Sequence, residues 1–482
     1  MSVRLLAIAA CAVLLCGPLR DIRGENPPNI VLVMCDDLGW GDTGFNGNTV
    51  IKTPHLDEMA RSGMKLNRFY SAAPVCSPTR GSVLTGRHPY RYEILNANYG
   101  HIKPYELTLA ELLREHGYAT GHFGKWHLGT MTKTVRESNR GGPDNAEHYS
   151  PPQDNGFEVC FSTEAKVPTF DPMLKPRGKG LKKGWNFLPD RAVGVPYGTH
   201  YWNERGDMQQ DNLEGDDSRV IMDRVIPFIT ASAQENKPFF AIVWFHAPHL
   251  PVVAGPEHAT LYSGYDDYRR NYYGCITAAD EQIGRLRRTL RELNVADNTL
   301  VTFCSDNGPE GRTDEAPGSA GPFRGRKRDL YEGGVRVPGL MEWPAKIAGG
   351  TVSDYPAVTS DYLPTILELI GVEIPDDRAI DGTSLLPLIE KNVTERPRPI
   401  GFQHHDALAW TDNRYKLVNN DRERERDANG KPLRPQMFEL YDLQTDPEEA
   451  HDIADGHPEI VERMHGELMA WKASCARDAE RR

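Results

Sequence analysis

The sequence predicts an α/β fold: a large, doubly wound, mixed but mostly parallel sheet flanked by helices, followed by a smaller C-terminal α+β domain of antiparallel sheet plus helix. Two patterns predict the first part. Short, unbroken apolar runs signal strands buried on both faces, as in parallel sheets. Helical patterns fall between these runs, and that alternation implies a doubly wound sheet. A third pattern predicts the second part. After about Lys391 the chain turns Pro-rich and charged, and Phe438 to Leu443 alternates like a half-buried strand.

In chain order, Arg4 followed by the apolar run Leu5 to Leu15, closed by Arg20, Asp21 and Arg23, reads as an export signal over residues 1–24. The run is too short to span a bilayer, and no later segment offers eighteen uninterrupted apolar residues. The expected protein is therefore exported, periplasmic or secreted, without stable membrane insertion. Asn29 to Met34, Phe239 to Phe245 and Thr299 to Cys304 read as strands buried on both faces. Thr108 to His116, Ser218 to Gln234, Asn271 to Leu293 and Asp361 to Ile370 read as helices. Residues 131–217 are rich in Gly, Pro and Asp, and read as long loops over one face. Ala407 to Trp410, Tyr415 to Val418 and a closing helix from Glu459 to Lys472 complete the C-terminal domain. A chain of 482 residues exceeds what one core supports, roughly 250–300 residues. We therefore expect a catalytic domain over 25–390 and a small domain over 391–482.

Net charge and cysteine usage narrow the function. A formal charge of -12 excludes the basic footprint that a nucleic-acid partner needs, so none is expected. Any anionic substrate must be held by a local basic pocket against that overall field. The eight cysteines show no CxxC spacing, so neither a zinc knuckle nor a dense disulfide framework is indicated; one or two disulfides stay open.

The predicted strands end in chemistry. The first runs into Asp36-Asp37 and the third into Asp306-Asn307. In open α/β sheets, ligands sit at the carboxyl ends of strands. Four oxygen ligands with no required sulfur or imidazole suit a hard cation, Ca²⁺ rather than Zn²⁺. The second strand runs into His246-Ala247-Pro248-His249. Cys76-Ser77-Pro78-Thr79-Arg80 places a Pro suited to the first turn of a helix, whose free N–H groups can face an anion.

Cys76-Ser77-Pro78-Thr79-Arg80, continued by Leu84-Thr85-Gly86-Arg87, resembles the signature of the formylglycine-dependent sulfatases, of the alkaline-phosphatase-like superfamily. Gly124-Lys125-Trp126-His127-Leu128-Gly129 resembles a second family signature. Gly325 to Pro338 and Tyr441-Asp442-Leu443 resemble later blocks, with Tyr331 where Trp is usual. The resemblance implies that a formylglycine-generating enzyme oxidises Cys76 to an aldehyde, whose hydrate attacks the sulfur of a sulfate monoester. A covalent sulfo-enzyme then releases sulfate by C–O cleavage, which a plain serine cannot do. It further implies Ca²⁺ held by Asp36, Asp37, Asp306 and Asn307 with residue 76. Arg80 pairs with the metal-side groups and Lys125 supplies a point charge. His127 takes a proton, His249 serves the leaving oxygen, and Lys327 contacts sulfate. His246, His200 and His404 are candidate substrate contacts, since imidazoles suit sugar hydroxyls, and a sulfated carbohydrate is the expected substrate. Two alternatives stand beside this reading: a phosphoester or phosphonate hydrolase of the same superfamily, and a non-catalytic, calcium-stabilised glycan-binding protein.

Overall fold

The computed structural model describes residues 27–178, 185–391, 393–419 and 437–480; the leader read at 1–24 lies outside them. The strands are β1 Asn29–Cys35, β2 Met64–Leu66, β3 Phe69–Tyr70, β4 Ala119–Lys125, β5 Val159–Thr163, β6 Phe239–Trp244, β7 Thr299–Ser305, β8 Arg336–Val337, β9 Gly339–Glu342, β10 Thr351–Ser353, β11 Ala357–Val358, β12 Ile400–His404, β13 Ala407–Thr411, β14 Tyr415–Asn419 and β15 Glu439–Asp442. The helices are α1 Pro54–Ser62, α2 Cys76–Thr85, α3 Pro89–Tyr92, α4 Leu109–Glu115, α5 Asp217–Gln234, α6 Pro256–Thr260, α7 Asp267–Glu292, α8 Glu332–Val335, α9 Tyr362–Ile370, α10 Leu386–Lys391 and α11 Pro458–Glu480.

Eight strands form the main sheet in the order β10-β2-β9-β7-β1-β6-β4-β5. Pairings from β7 through β5 are all parallel, whereas β9 runs antiparallel to both β7 and β2. Burial on both faces is visible in β1 itself. Ile30, Leu32 and Met34 enter one apolar layer; Val31, Val33 and Cys35 enter the other. The layer with Val31 includes residues of α5 and α7, such as Val225 and Ile283; the layer with Ile30 includes residues of α2, α4 and α9. Local sequence defines the helix ends. Thr108 and Glu111 form a reciprocal capping box that starts α4, and Asp216 caps α5 by accepting from Arg219 N–H.

The C-terminal sheet is antiparallel, in the order β12-β13-β14-β15. One face packs on α11 through Trp410, Leu417, Leu440, Met464 and Leu468. The other, through Phe402, Ala409, Val418 and Tyr441, packs on Tyr70, Leu330 and Tyr331 of the large unit. All six cysteines among the described residues are free and buried, so the disulfides left open by the sequence are not formed by these. No helix among the described residues is long and apolar enough to cross a membrane.

Two strands at one end of the sheet, β4 and the edge strand β5, are not apparent from apolar runs. Gly121, His122, Gly124 and Lys125 interrupt β4, yet every residue of it is buried. The polar groups are satisfied locally: His122 Nδ1 lies 2.7 Å from Ser162 Oγ. Gly124 is required at its position. Its φ is +104°, and a Cβ there would lie 2.0 Å from the Trp244 carbonyl oxygen of β6. Residues 131–217 do cross the molecule largely as loops, with short 3-10 turns and isolated bridges, but β5 lies within them.

Candidate active site

Strand register brings the acidic residues together. Cys35 of β1 is paired with Ser305 of β7, so Asp36 and Asp306 leave the sheet side by side, joined by Asp306 N–H donating to Cys35 O at 3.1 Å. Asp37 turns back with φ +65°, and its N–H donates to Asp306 Oδ1 at 3.1 Å. All four of Asp36, Asp37, Asp306 and Asn307 are buried.

Cys76 is the first residue of α2, a helix buried along its whole length. Its Sγ lies 3.4 Å from Asp36 Oδ1 and 3.9 Å from Asp37 Oδ1. Burial, then the charges of Asp306 and Asp36, push the thiol well above its ordinary range. An unmodified Cys76 is therefore held protonated, and a protonated thiol is a poor nucleophile.

Three cations close on these carboxylates. One helical turn beyond Cys76, Arg80 donates from Nε and Nη2 to Asp306 Oδ2 at 3.1 and 2.6 Å and from Nη1 to Lys125 O at 3.0 Å. Its guanidinium lies 5.1 Å from the Trp244 ring centroid. Lys125, at the end of β4, donates to Asp36 Oδ2 at 2.6 Å. Lys327 donates to Asp37 Oδ1 and Oδ2 at 2.6 and 2.8 Å. The Lys327 loop approaches through small residues: a Cβ on Gly308 would lie 2.0 Å from Gly333 O. Burial alone would raise Asp36, but Lys125, His249, Arg80 and Lys327 hold it well below the usual carboxylate range. Asp306 goes the other way, to about 7, because burial and the Asp36 charge outweigh Arg80.

His249 completes the ring of groups, with Nε2 3.7 Å from Asp37 Oδ2 and Nδ1 2.7 Å from the Leu250 carbonyl. Burial lowers it to about 4. His127 follows Lys125 by two residues, is buried, and meets Asn98 Oδ1 through Nε2 at 2.5 Å.

The other predicted histidines stand apart from this cluster. His246 is fully buried with both ring nitrogens engaged, Nδ1 by Asp217 at 2.8 Å and Nε2 by Thr163 at 2.8 Å. His200 is half-buried beside Glu137, 3.5 Å away. His404 is buried at the end of β12 with its ring centroid 4.4 Å from that of His405. Tyr201 and Trp202, which follow His200 in the chain, are core residues; Tyr201 stacks on Phe161 at 4.0 Å.

Several neighbours carry no signal in the sequence. Asn98, Asn139 and Glu164 surround His127. Glu310 pairs with Lys327 and Arg328. Lys166 is exposed at the carboxyl end of the sheet, three residues beyond β5, and the charges of Lys125 and Lys327 add to burial in lowering its pKa.

The donor set fits a hard divalent cation. Asp36, Asp37 and Asp306 supply carboxylate oxygens, and Asn307 Oδ1 is buried with no hydrogen-bond partner while its Nδ2 donates to Asp37 at 2.7 Å. Asp36, Asp37, Cys76 and His249 also offer ligand atoms within 4.8 Å of one another.

Comparison with known proteins agrees with this geometry. The family model described as Sulfatase matches residues 28–372, and one described as N-sulphoglucosamine sulphohydrolase, C-terminal, matches 321–474. The chain is 34% identical over 408 residues to N-acetylgalactosamine-6-sulfatase of Sus scrofa, covering 81% of this chain and 71% of that protein. It is 31% identical over 462 residues to steryl-sulfatase of Mus musculus, covering 83% and 71%. The solved structure titled Crystal structure of Ps i-CgsB superposes with a TM-score of 0.76 at 27% identity, covering 92% of each chain. With the matched model spanning most of the chain and the acidic and cationic groups converging on residue 76, the chain belongs to the sulfatase family and is a sulfuric ester hydrolase.

Proposed function

We propose that the protein hydrolyses sulfate monoesters of carbohydrates, after Cys76 has been converted to formylglycine by a generating enzyme, with Ca²⁺ held by Asp36, Asp37, Asp306 and Asn307. The observation that carries the reading is charge balance around residue 76. Three carboxylates, Asp36, Asp37 and Asp306, face three cations, Arg80, Lys125 and Lys327. A bound divalent ion supplies Lewis acidity and leaves this cluster positive, which favours an anionic ester despite the chain's net charge of -12. The aldehyde hydrate supplies a nucleophile that is restored by elimination, so the buried thiol has no need to ionise.

The chain's own residues do the rest. Lys125 and Lys327 join the cluster through different carboxylates, Asp36 and Asp37, and both ammonium groups stay charged because those carboxylates override burial. They bind the sulfate oxygens as point charges. Arg80 holds Asp306 in place and ties α2 to the end of β4. His127 takes a proton from a hydroxyl on residue 76. His249 donates Nδ1–H to the Leu250 carbonyl and, as the imidazolium, passes its Nε2 proton to the leaving oxygen.

A carbohydrate substrate is supported by the relatives. N-acetylgalactosamine-6-sulfatase is one of them, and the structure Ps i-CgsB has also been solved with k-i-k-neocarrahexaose. Export through the leader at 1–24 is part of the same proposal. Hydrolysis of an aryl sulfate by wild type and Cys76→Ala tests the chemistry: the substitution should abolish turnover, and undiminished turnover refutes the role of residue 76. A panel of sulfated mono- and oligosaccharides, with a phosphonate monoester as control, tests the substrate. Activity confined to aryl sulfates rejects the carbohydrate reading.

A further inference from the structure

Taking His127 as the base, we propose that Glu164, Asn139 and Asn98 form a hydrogen-bond chain that fixes which of its ring nitrogens is basic. The chain can be followed from its charged end. Glu164 is fully buried, and its Oε1 accepts from Arg140 Nε at 2.7 Å. A carboxylate only accepts, so the Asn139 atom 2.9 Å from Glu164 Oε2 is the donor Nδ2. The same Nδ2 lies 2.6 Å from Asn98 Oδ1 and gives it a second hydrogen. Asn98 is thereby oriented with its oxygen toward His127 Nε2, 2.5 Å away. An amide oxygen cannot donate, so Nε2 carries the ring hydrogen. Nδ1 is left with the lone pair. It is buried and has no hydrogen-bond partner among the described residues, so it is the nitrogen free to take a proton.

Backbone contacts brace the arrangement. His127 N–H donates to Glu164 O at 3.0 Å, and Arg140 Nη1 donates to Gly100 O at 2.6 Å, two residues from Asn98. His127 and Asn98 both occupy the left-handed region, at φ +58° and +62°. Were the Asn98 amide reversed, its Nδ2 would face Nε2, the ring hydrogen would move to Nδ1, and the buried base would be lost. Asn98, Asn139 and Glu164 are thus positioning residues that act through His127. The inference deepens the sulfatase reading and rests on His127 being its base.

The test combines spectroscopy with rescue. Nitrogen NMR of histidine-labelled protein reads the His127 tautomer whether or not the protein turns over, so it separates this inference from the sulfatase reading. Wild type should show hydrogen on Nε2. Asn139→Ala frees the Asn98 amide to reverse; it should mix the tautomers and lower kcat about 10- to 100-fold with KM little changed, the scale seen when a histidine loses its orienting partner. Adding Asn98→Asp should restore both, because a carboxylate accepts in either orientation. Hydrogen on Nδ1 in the wild type overturns the proposal. So does a double variant no better than Asn139→Ala alone.

Discussion

At the scale of single residues, the site is a balance of buried charges, and removing one member exposes the rest. Arg80→Ala would strand Asp306 and Asp36 without their guanidinium. We expect a loss of about 3–5 kcal/mol in chemical denaturation, together with loss of turnover. Arg80→Lys should also fail, since one ammonium cannot reach Asp306 and the Lys125 carbonyl as the planar fork does. Away from the site, Asp280 accepts from His55 and Leu56 N–H at the start of α1, and burial, outweighing those two bonds, raises it to about 7. A raised carboxylate binds more protons folded than unfolded between its ordinary value of 3.8 and about 7. Its stabilisation is therefore complete at low pH and fades as pH rises through about 7. Asp280→Ala should cost more stability near about pH 5 than near about pH 8.5, and an equal or reversed difference contradicts this. Residues set in motifs, such as Cys76, Arg80, Lys125 and Lys327, were legible in the sequence as candidates. Asn98, Asn139 and Glu164 were not, because each is a common loop residue whose part depends on contacts 25 to 41 positions away.

At the scale of elements, the sheet's carboxyl edge does the positioning. The strands that the sequence reveals, β1, β6 and β7, are buried throughout and mostly apolar; β4 is hidden because it is both a strand and part of the site. Its Gly124 admits the Trp244 carbonyl, and Lys125 follows directly. Gly124→Ala must either separate β4 from β6 or rotate Lys125 away from Asp36. The expected cost is at least about 2 kcal/mol from the left-handed backbone and the clash, with turnover lost even where the fold survives; thermal melts and kinetics on the same preparation check it. Periodicity also located α4, α5, α7 and α9 to within a few residues, except that α7 begins four residues earlier than the pattern implies, at Asp267 under the Asp266 cap.

At the scale of the whole molecule, the C-terminal sheet is joined to the catalytic unit by buried charge as well as apolar contact. Lys416 of β14 donates to Glu332 at 2.9 Å and pairs with Glu449 at 2.9 Å, all three side chains fully buried. Glu332 begins α8, five residues beyond Lys327, so the second sheet braces the loop that carries the lysine paired with Asp37. Lys416→Ala should cost about 3–5 kcal/mol by urea denaturation. An architecture of this kind was legible from apolar runs and their alternation, whereas the interface was not, because Glu332, Lys416 and Glu449 lie in separate segments with no shared pattern. Since the six described cysteines are free, a reducing agent should leave the melting temperature unchanged through them. The whole arrangement serves one claim, that residue 76 works as an aldehyde hydrate. Mass spectrometry of the residue-76 peptide from fully active protein tests it most directly. The expected peptide has lost the thiol sulfur and gained an aldehyde oxygen; an intact cysteine in protein turning over at full rate would contradict the aldehyde hydrate.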